Sequence, residues 1–309
     1  MGGRESTSFA SAGCHSLKLY KNVSLQNHST MRVGGFASLF ATAHTIADVE
    51  CAFAWAYENR VRVCIIGNGS NTFWTDAGYA GLVLKNKILG FRTTTEDKDS
   101  VTVHIGAGEV LDEVVERTTQ LGLTGMECLS LVPGTVEGAI IHNPGAYGQE
   151  ISHTLVSVEV YDTTEREIAT LAAEACQLSY RSSLFKEKPG RCVILGLTAK
   201  LRRGVAERPS HPALLALLEG GRFRSSTEVR EAVIGIRNAK LPDPASIRNC
   251  GSFFANPIIS EKQMNLLAKG SGALRQMTKL GWYKIPAAWL IEQNGLKDHT
   301  WAESGLGTW

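Results

Sequence analysis

Apolar residues recur every three or four positions at Val49, Ala52, Phe53 and Ala56, the period of a helix with one buried face. Thr45-Ile46-Ala47-Asp48 precedes them as a capping-box-like start, which predicts a helix running through Asn59. The run from Val61 to Ile66 is short and apolar and predicts a buried strand. The alternation then repeats: a strand over Val101 to Ile105, a turn at Gly106-Ala107-Gly108, and a helix over Val110 to Leu121 with Val110, Val114, Val115 and Leu121 facing inward. Leu155 to Tyr161 and Cys192 to Leu201 read as strands on either side of a helix-like Ala172–Cys176 segment. At Leu241-Pro242-Asp243-Pro244 the pattern changes, and the two prolines predict an extended linker. Beyond it, Ser260-x-x-Gln263 opens a helix that stops at Gly270, and Pro286 opens another that stops at Gly295. No internal repeat is present. This organisation predicts a flexible tail over 1–26, an α/β subdomain over 27–90, a second over 91–240 and a smaller α+β domain over 241–309.

Composition excludes more than it identifies. A formal net charge of +2, with no polybasic run, argues against a nucleic-acid partner. Seven scattered cysteines (Cys14, Cys51, Cys64, Cys128, Cys176, Cys192 and Cys250) form no Cys-x-x-Cys pair and read as buried thiols in a reducing compartment. No stretch approaches the ~20 apolar residues of a membrane helix, and the first thirty residues lack a signal-peptide core, so a cytoplasmic protein without a membrane partner is expected. Met1-Gly2-Gly3-Arg4-Glu5-Ser6 fits the loose N-myristoylation pattern, which is too short to be specific. The eight histidines show no metal-binding spacing, and no metal is expected.

Two glycine-bearing segments carry the candidate chemistry. Gly67-Asn68-Gly69-Ser70-Asn71 follows a predicted strand, where α/β proteins place ligands. Pro133-Gly134-Thr135-Val136-Glu137-Gly138 runs on to Asn143-Pro144-Gly145-Ala146-Tyr147-Gly148. Small residues let successive backbone N–H groups turn toward one point, which suits a pyrophosphate. No Gly-Lys-Ser/Thr follows, and Thr72 stands where a dinucleotide fingerprint needs its third glycine, so neither common phosphate loop is present. Tyr180-Arg181-Ser182-Ser183 sets a phenol beside a guanidinium, and Arg237-x-x-Lys240 reads either as an anion clamp or as a solvated helix end. Gly251-Ser252-Phe253-Phe254-Ala255-Asn256-Pro257 holds a hydroxyl beside an apolar wall. Without Gly-x-Ser-x-Gly around it, Ser252 suits proton donation better than nucleophilic attack.

With Thr30-Met31-Arg32-Val33-Gly34-Gly35 and Lys240-Leu241-Pro242-Asp243-Pro244, these segments resemble, in order, the motifs of the UDP-N-acetylenolpyruvoylglucosamine reductase (MurB) family, of the long-form type, over roughly residues 27 to 297. The resemblance implies an α+β FAD-binding fold of the vanillyl-alcohol-oxidase/MurB type, with two FAD-binding subdomains and a smaller substrate-binding domain. It implies a monomeric enzyme of peptidoglycan synthesis with non-covalent FAD, in which NADPH supplies hydride to reduce UDP-N-acetylglucosamine enolpyruvate. By match, Ser252 is the proton donor and Arg181 stabilises the enolpyruvyl carboxylate. FAD contacts fall on Gly67, Asn68, Gly69, Ser70, Asn71, Pro133, Gly134, Thr135, Gly138, Asn143, Gly145, Ala146 and Tyr147. Substrate contacts fall on Tyr180, Arg237, Lys240, Asn256 and Gln293.

The departures from the family pattern are also specific. After Lys297 the chain reads Asp298 to Trp309 in place of the family's Gly-Gly-Ala stretch and late glutamate, and Glu303 stands in a different context. His211 occupies the position of a substrate-loop tyrosine. Ala255 replaces a lysine, and Glu137 replaces a small residue in the second glycine segment, bringing a carboxylate toward phosphates unless it turns away. Two alternatives stay open on these grounds: a flavin-binding pseudoenzyme of the family, or another FAD oxidase of the same superfamily.

Overall fold

The computed structural model describes residues 6–8, 17–206, 211–217, 225–267, 276–277 and 282–297. The chain divides into two compact units, Met1–Gly251 and Ser252–Trp309, so the Leu241–Pro244 stretch belongs to the first unit, not to the smaller one.

In the first unit, strands β1 (Ser6–Ser8), β2 (Lys18–Ser24), β3 (Phe36–Ala43), β4 (Val63–Ile66) and β5 (Tyr79–Asn86) form a sheet in the order β1-β2-β3-β5-β4. β1, β2 and β3 pair antiparallel, whereas β3 and β4 flank β5 in parallel. β2 corrects the expected tail: Leu19 alternates with exposed Lys18 and is buried, so ordered sheet begins well before Asn27. Helix α1 (Ile46–Glu58) makes the parallel crossover, and Thr45 and Asp48 close the expected capping box. Val49 and Ala52 bury its inner face against Ala41, Leu82 and Leu84 of the sheet, and Ala56 is buried one turn on.

A second sheet follows from β6 (Phe91–Glu96), β7 (Ser100–Gly106), β8 (Leu123–Thr124), two short strands β9 (Gly145–Ala146) and β10 (Gln149–Glu150) that pair apart from it, β11 (Leu155–Asp162), β12 (Glu167–Ala172) and β13 (Cys192–Arg203). Its order is β12-β11-β13-β7-β6, all antiparallel, with β8 against the end of β13. The central strand β13 is nearly continuously buried, while the edge strands β6 and β12 carry polar, exposed faces. The expected helix-like Ala172–Cys176 is the end of β12 and a single 3-10 turn.

Helix α2 (Leu111–Gln120) covers the second sheet with Leu111, Val114 and Val115, and Thr118 and Thr119 continue the stripe. Their hydroxyls donate to the carbonyls of Val115 and Glu116 at 2.8 Å, which makes burial of two threonines tolerable. Leu121, expected inside, is 54% exposed because it falls off that stripe, and Val110 is the N-cap, half-buried. Helices α3 (Val136–His142), α4 (Leu184–Glu187), α5 (Pro212–Leu217) and α6 (Ser226–Lys240) complete the unit. Val229, Val233 and Ile236 of α6 pack on Cys128. The buried amide of Asn86 ties the two sheets together, donating to the Ile194 carbonyl at 2.9 Å and accepting from Ile88 N–H at 3.2 Å.

Cys51 is disulfide-bonded, contrary to the expectation that every cysteine is a thiol. Spacing along the chain does not bound which cysteines meet in space. Cys64, Cys128, Cys176, Cys192 and Cys250 are free.

The second unit contains β14 (Ile258–Ile259), β15 (Gln276–Met277) and β16 (Tyr283–Lys284) in the order β14-β16-β15, with helices α7 (Glu261–Leu267) and α8 (Ala287–Gln293). The Ser260 hydroxyl and Gln263 make the expected cap of α7, whose last described residue precedes Gly270. Helix α8 follows Pro286 and ends before Gly295 as expected.

Candidate functional site

The two glycine segments, far apart in sequence, meet in space. Gly67 leaves β4 and Thr135 caps α3, and a Cβ added at Gly67 would overlap the Thr135 hydroxyl. Gly134, at φ +112°, would bring a Cβ to 2.9 Å from the Ser70 hydroxyl. Only glycine allows the loops this approach. Residues 28–35 back the first loop: Thr30 N–H donates to the Gly69 carbonyl at 3.2 Å, and the Ser29 hydroxyl donates to the Thr72 carbonyl at 2.7 Å. The second loop is pinned to the β7–α2 turn, where Leu111 N–H donates to the Gly134 carbonyl and Val136 and Glu137 N–H donate to Glu109 and Ala107.

Asn143 ends α3 in the left-handed conformation, its amide donating to Glu150 at 2.9 Å and to the Ser179 carbonyl at 3.0 Å. Arg181 reaches back to the carbonyls of Asn143 at 3.4 Å and Gly145 at 3.5 Å, and the Lys186 ammonium donates to the Arg181 carbonyl at 2.7 Å. The Tyr180–Arg181 pair is therefore built against the second glycine segment, and the guanidinium lies 5.6 Å from the Tyr180 ring. Sequence reasoning missed His142, whose Nε2 is 3.3 Å from the Asn71 amide nitrogen. Burial, then the charges of Lys186 and Arg181, hold its pKa below the ordinary imidazole value, so it is neutral at pH 7. Its place in the last turn of α3, one residue before Asn143, was the available signal.

Tyr147 packs edge-on against His211, with ring centroids 5.0 Å apart, and burial pushes its phenol up against the opposing effect of Arg237. Burial and Lys240 lower the His211 pKa. The Arg237 guanidinium donates to the Leu131 carbonyl at 3.0 Å, so it is not a solvated helix end, whereas Lys240 is exposed at the end of α6. His211, Arg237 and Lys240 thus gather beside Tyr147 of the second glycine segment.

Glu137 does not bring a carboxylate toward phosphates. It is 3% exposed and turned inward, hydrogen-bonded to Asn86 and close enough to Cys64 to push that thiol up. Burial raises its pKa to about 8, so the side chain is a neutral acid at pH 7.

Ser252, Asn256 and Gln293 belong to the second unit. Ser252 is exposed next to Phe253, itself 84% exposed, after Gly251 at φ +77°. Asn256 accepts from Ala287 N–H at 2.9 Å, which fixes it to the first turn of α8, and Gln293 is exposed at the last turn of the same helix. Ala255 is exposed beside them. Asp298 to Trp309, Glu303 among them, lie outside the described residues.

The glycine loops fit a bound dinucleotide. Cβ atoms would fill the contact between them, and the Thr30 hydroxyl and the Asn143 side-chain oxygen are buried without a protein partner beside the two segments. Among the described residues no group of three or more His, Cys, Asp or Glu could hold a metal ion, and no helix is long and apolar enough to cross a membrane.

Residues 37–170 match the model of the FAD binding domain. The chain is similar to UDP-N-acetylenolpyruvoylglucosamine reductase of Pseudomonas fluorescens, 37% identical over 294 residues that cover 94% of this chain and 86% of the relative. It is 36% identical to the enzyme of that name from Pseudomonas aeruginosa over 285 residues, covering 91% and 84%. The crystal structure of UDP-N-acetylenolpyruvylglucosamine reductase from Thermus caldophilus superposes with a TM-score of 0.63 at 21% identity, over 92% of this chain and 82% of that one, and shows the same fold.

Proposed function

The chain belongs to the UDP-N-acetylenolpyruvoylglucosamine reductase family, and on that premise we propose how its own residues carry the reaction. The protein is an FAD-containing, NADPH-driven oxidoreductase that reduces UDP-N-acetylglucosamine enolpyruvate to UDP-N-acetylmuramate in peptidoglycan synthesis. FAD, when bound, would supply the hydride-transfer chemistry between NADPH and the enol ether.

Gly67, Asn68, Gly69, Ser70 and Asn71 hold FAD together with Pro133, Gly134, Thr135, Gly138, Asn143, Gly145, Ala146 and Tyr147. The meeting of Gly67 with Thr135 carries this assignment, because it brings together two turns far apart in sequence, each of a kind that can present backbone N–H groups. Arg181 binds the enolpyruvyl carboxylate and offsets charge that builds there as the double bond is reduced. Its backbone sits at φ +56° and its guanidinium is steadied by two carbonyls, so little reorganisation is needed. Tyr180, Arg237, Lys240, Asn256 and Gln293 bind the remainder of the substrate, with the cations on its pyrophosphate. Arg237 keeps one N–H, at Nε, without a protein partner for this role. Ser252 donates the proton that completes reduction, a task a serine hydroxyl can perform toward a strongly basic carbanion-like centre when held within hydrogen-bond reach. Neutral Glu137 removes the repulsion that an ionised group would exert on FAD. The reading extends to a monomer in the cytoplasm, where NADPH and UDP-sugars are available.

The test separates the two half-reactions by flavin absorbance. Wild-type protein should be yellow, bleach with NADPH and recover colour when UDP-N-acetylglucosamine enolpyruvate is added without oxygen. Ser252→Ala should bleach at the wild-type rate but recover about 10²-fold or more slowly. Recovery at the wild-type rate in that variant would overturn the proton-donor role. Bleaching with no substrate-dependent recovery in the wild type would identify a flavin-binding pseudoenzyme, and rapid recovery with oxygen in place of the enol ether would identify an oxidase.

A further inference from the structure

The lead-in to the second glycine loop is held in an unfavourable backbone state by side chains from two helices. Leu131, two residues before Pro133, has φ +56°, the left-handed region that a branched residue avoids. Its N–H donates to Asp112 Oδ1 of α2 at 2.7 Å, and its carbonyl accepts from Arg237 of α6 at 3.0 Å. Asp112 is itself gripped by Arg230 of α6, through Nη1 to Oδ1 and Nη2 to Oδ2, the latter at 3.2 Å, with the arginine side chain only 10% exposed. Burial opposes ionisation of Asp112, but the Arg230 and Leu131 hydrogen bonds and the charges of Arg230 and Arg237 outweigh it and hold the pKa below the usual carboxylate value. Both backbone polar groups of one strained residue are thereby fixed by a half-buried Arg230–Asp112–Arg237 cluster. Leu129 accepts from Val132 N–H at 3.0 Å, which sets the direction in which Pro133 and Gly134 emerge.

We propose that Asp112 and Arg230 are positioning residues for FAD: they keep Leu131 in its left-handed turn, and so keep the Gly134–Thr135 amides at the cofactor. The inference rests on the assignment of that loop to FAD. Because Arg237 both holds Leu131 and lies one turn from Lys240, the cluster also ties the cofactor loop to the helix assigned to the substrate.

The experiment uses holoenzyme and measures the FAD dissociation constant from the flavin fluorescence released on dilution. Asp112→Ala should weaken FAD about tenfold, the order of the penalty for a non-glycine residue in the left-handed region once nothing offsets it. The second-site change Leu131→Gly should restore most of that affinity, since glycine adopts the turn without a clamp. A role confined to packing α2 on α6 would lower the melting temperature without changing FAD affinity and without rescue by Leu131→Gly, and either result overturns the proposal. If Asp112→Ala yields no folded protein, Asp112→Asn with and without Leu131→Gly provides the same comparison. Gly134→Val is the control on the underlying assignment: retained FAD in this variant removes the loop from the cofactor site and the proposal with it. Lost FAD there combined with unchanged FAD in Asp112→Ala refutes the clamp alone.

Discussion

Replacing Glu137 by glutamine should change how stability depends on pH more than how the enzyme works. The folded-state pKa of about 8 lies above the ordinary glutamate value of 4.5 because the carboxyl is buried, with only Asn86 opposing the shift. Between those values the unfolded chain has released the proton and the folded chain retains it, so wild-type stability falls as pH rises through that window and levels off above it. From 4.5 to pH 7 the interval is about 2.5 units, which at ~1.4 kcal/mol per unit is about 3 kcal/mol of destabilisation at neutral pH. Glutamine cannot ionise, but its second amide N–H enters a site where one carboxyl oxygen already lacks a partner, at about 1–3 kcal/mol. The variant should therefore be about 1 kcal/mol more stable at pH 7. Urea unfolding with FAD in constant excess, followed by tryptophan fluorescence from about pH 5 to about pH 8, measures the difference. It should move toward the variant by ~1.4 kcal/mol per pH unit. Parallel wild-type and variant curves across that range would mean that Glu137 is ionised in the folded protein, and the assignment of a neutral acid would be withdrawn.

Gly67→Ala should lower FAD affinity while leaving secondary structure intact, because the new methyl group must displace Thr135 and separate the loops; flavin content after dialysis and circular dichroism check both halves. Glu127→Ala should cost ~3 kcal/mol or more in urea unfolding, since it strands the Thr124 hydroxyl, the Gly125 N–H and the Gln149 amide, which donate to it at 2.8, 2.6 and 2.9 Å. A loss below ~1 kcal/mol would show that water replaces the carboxylate there.

What the sequence made legible was local. The Thr45–Asp48 box and the Val49 stripe involve residues within one or two turns, so α1 could be drawn from its pattern alone. Each glycine segment could be recognised as an amide-rich turn, but the contact of Gly67 with Thr135 is set by how two sheets pack, and no local period encodes it. The edge strands β6 and β12 carry threonines and charges where an apolar run would have announced them. The family pattern left open which way Glu137 points, yet its phase was informative: three residues before buried Ile140, it lies on the inward face of α3. The Asp112–Leu131 contact was out of reach, because nothing in a Leu-Val-Pro sequence signals a left-handed leucine.

The central strand of the second sheet is also the last of that sheet to be synthesised. Until Cys192–Arg203 has left the ribosome, β7 has only β6 beside it and β11 has only β12, two hairpins with no strand to join them. The floor beneath the second glycine loop therefore cannot close while the chain is still short. Flavin capture is deferred to a late stage of biosynthesis, and ribosome-bound fragments ending before β13 should remain colourless and depend on chaperones to protect their open edges.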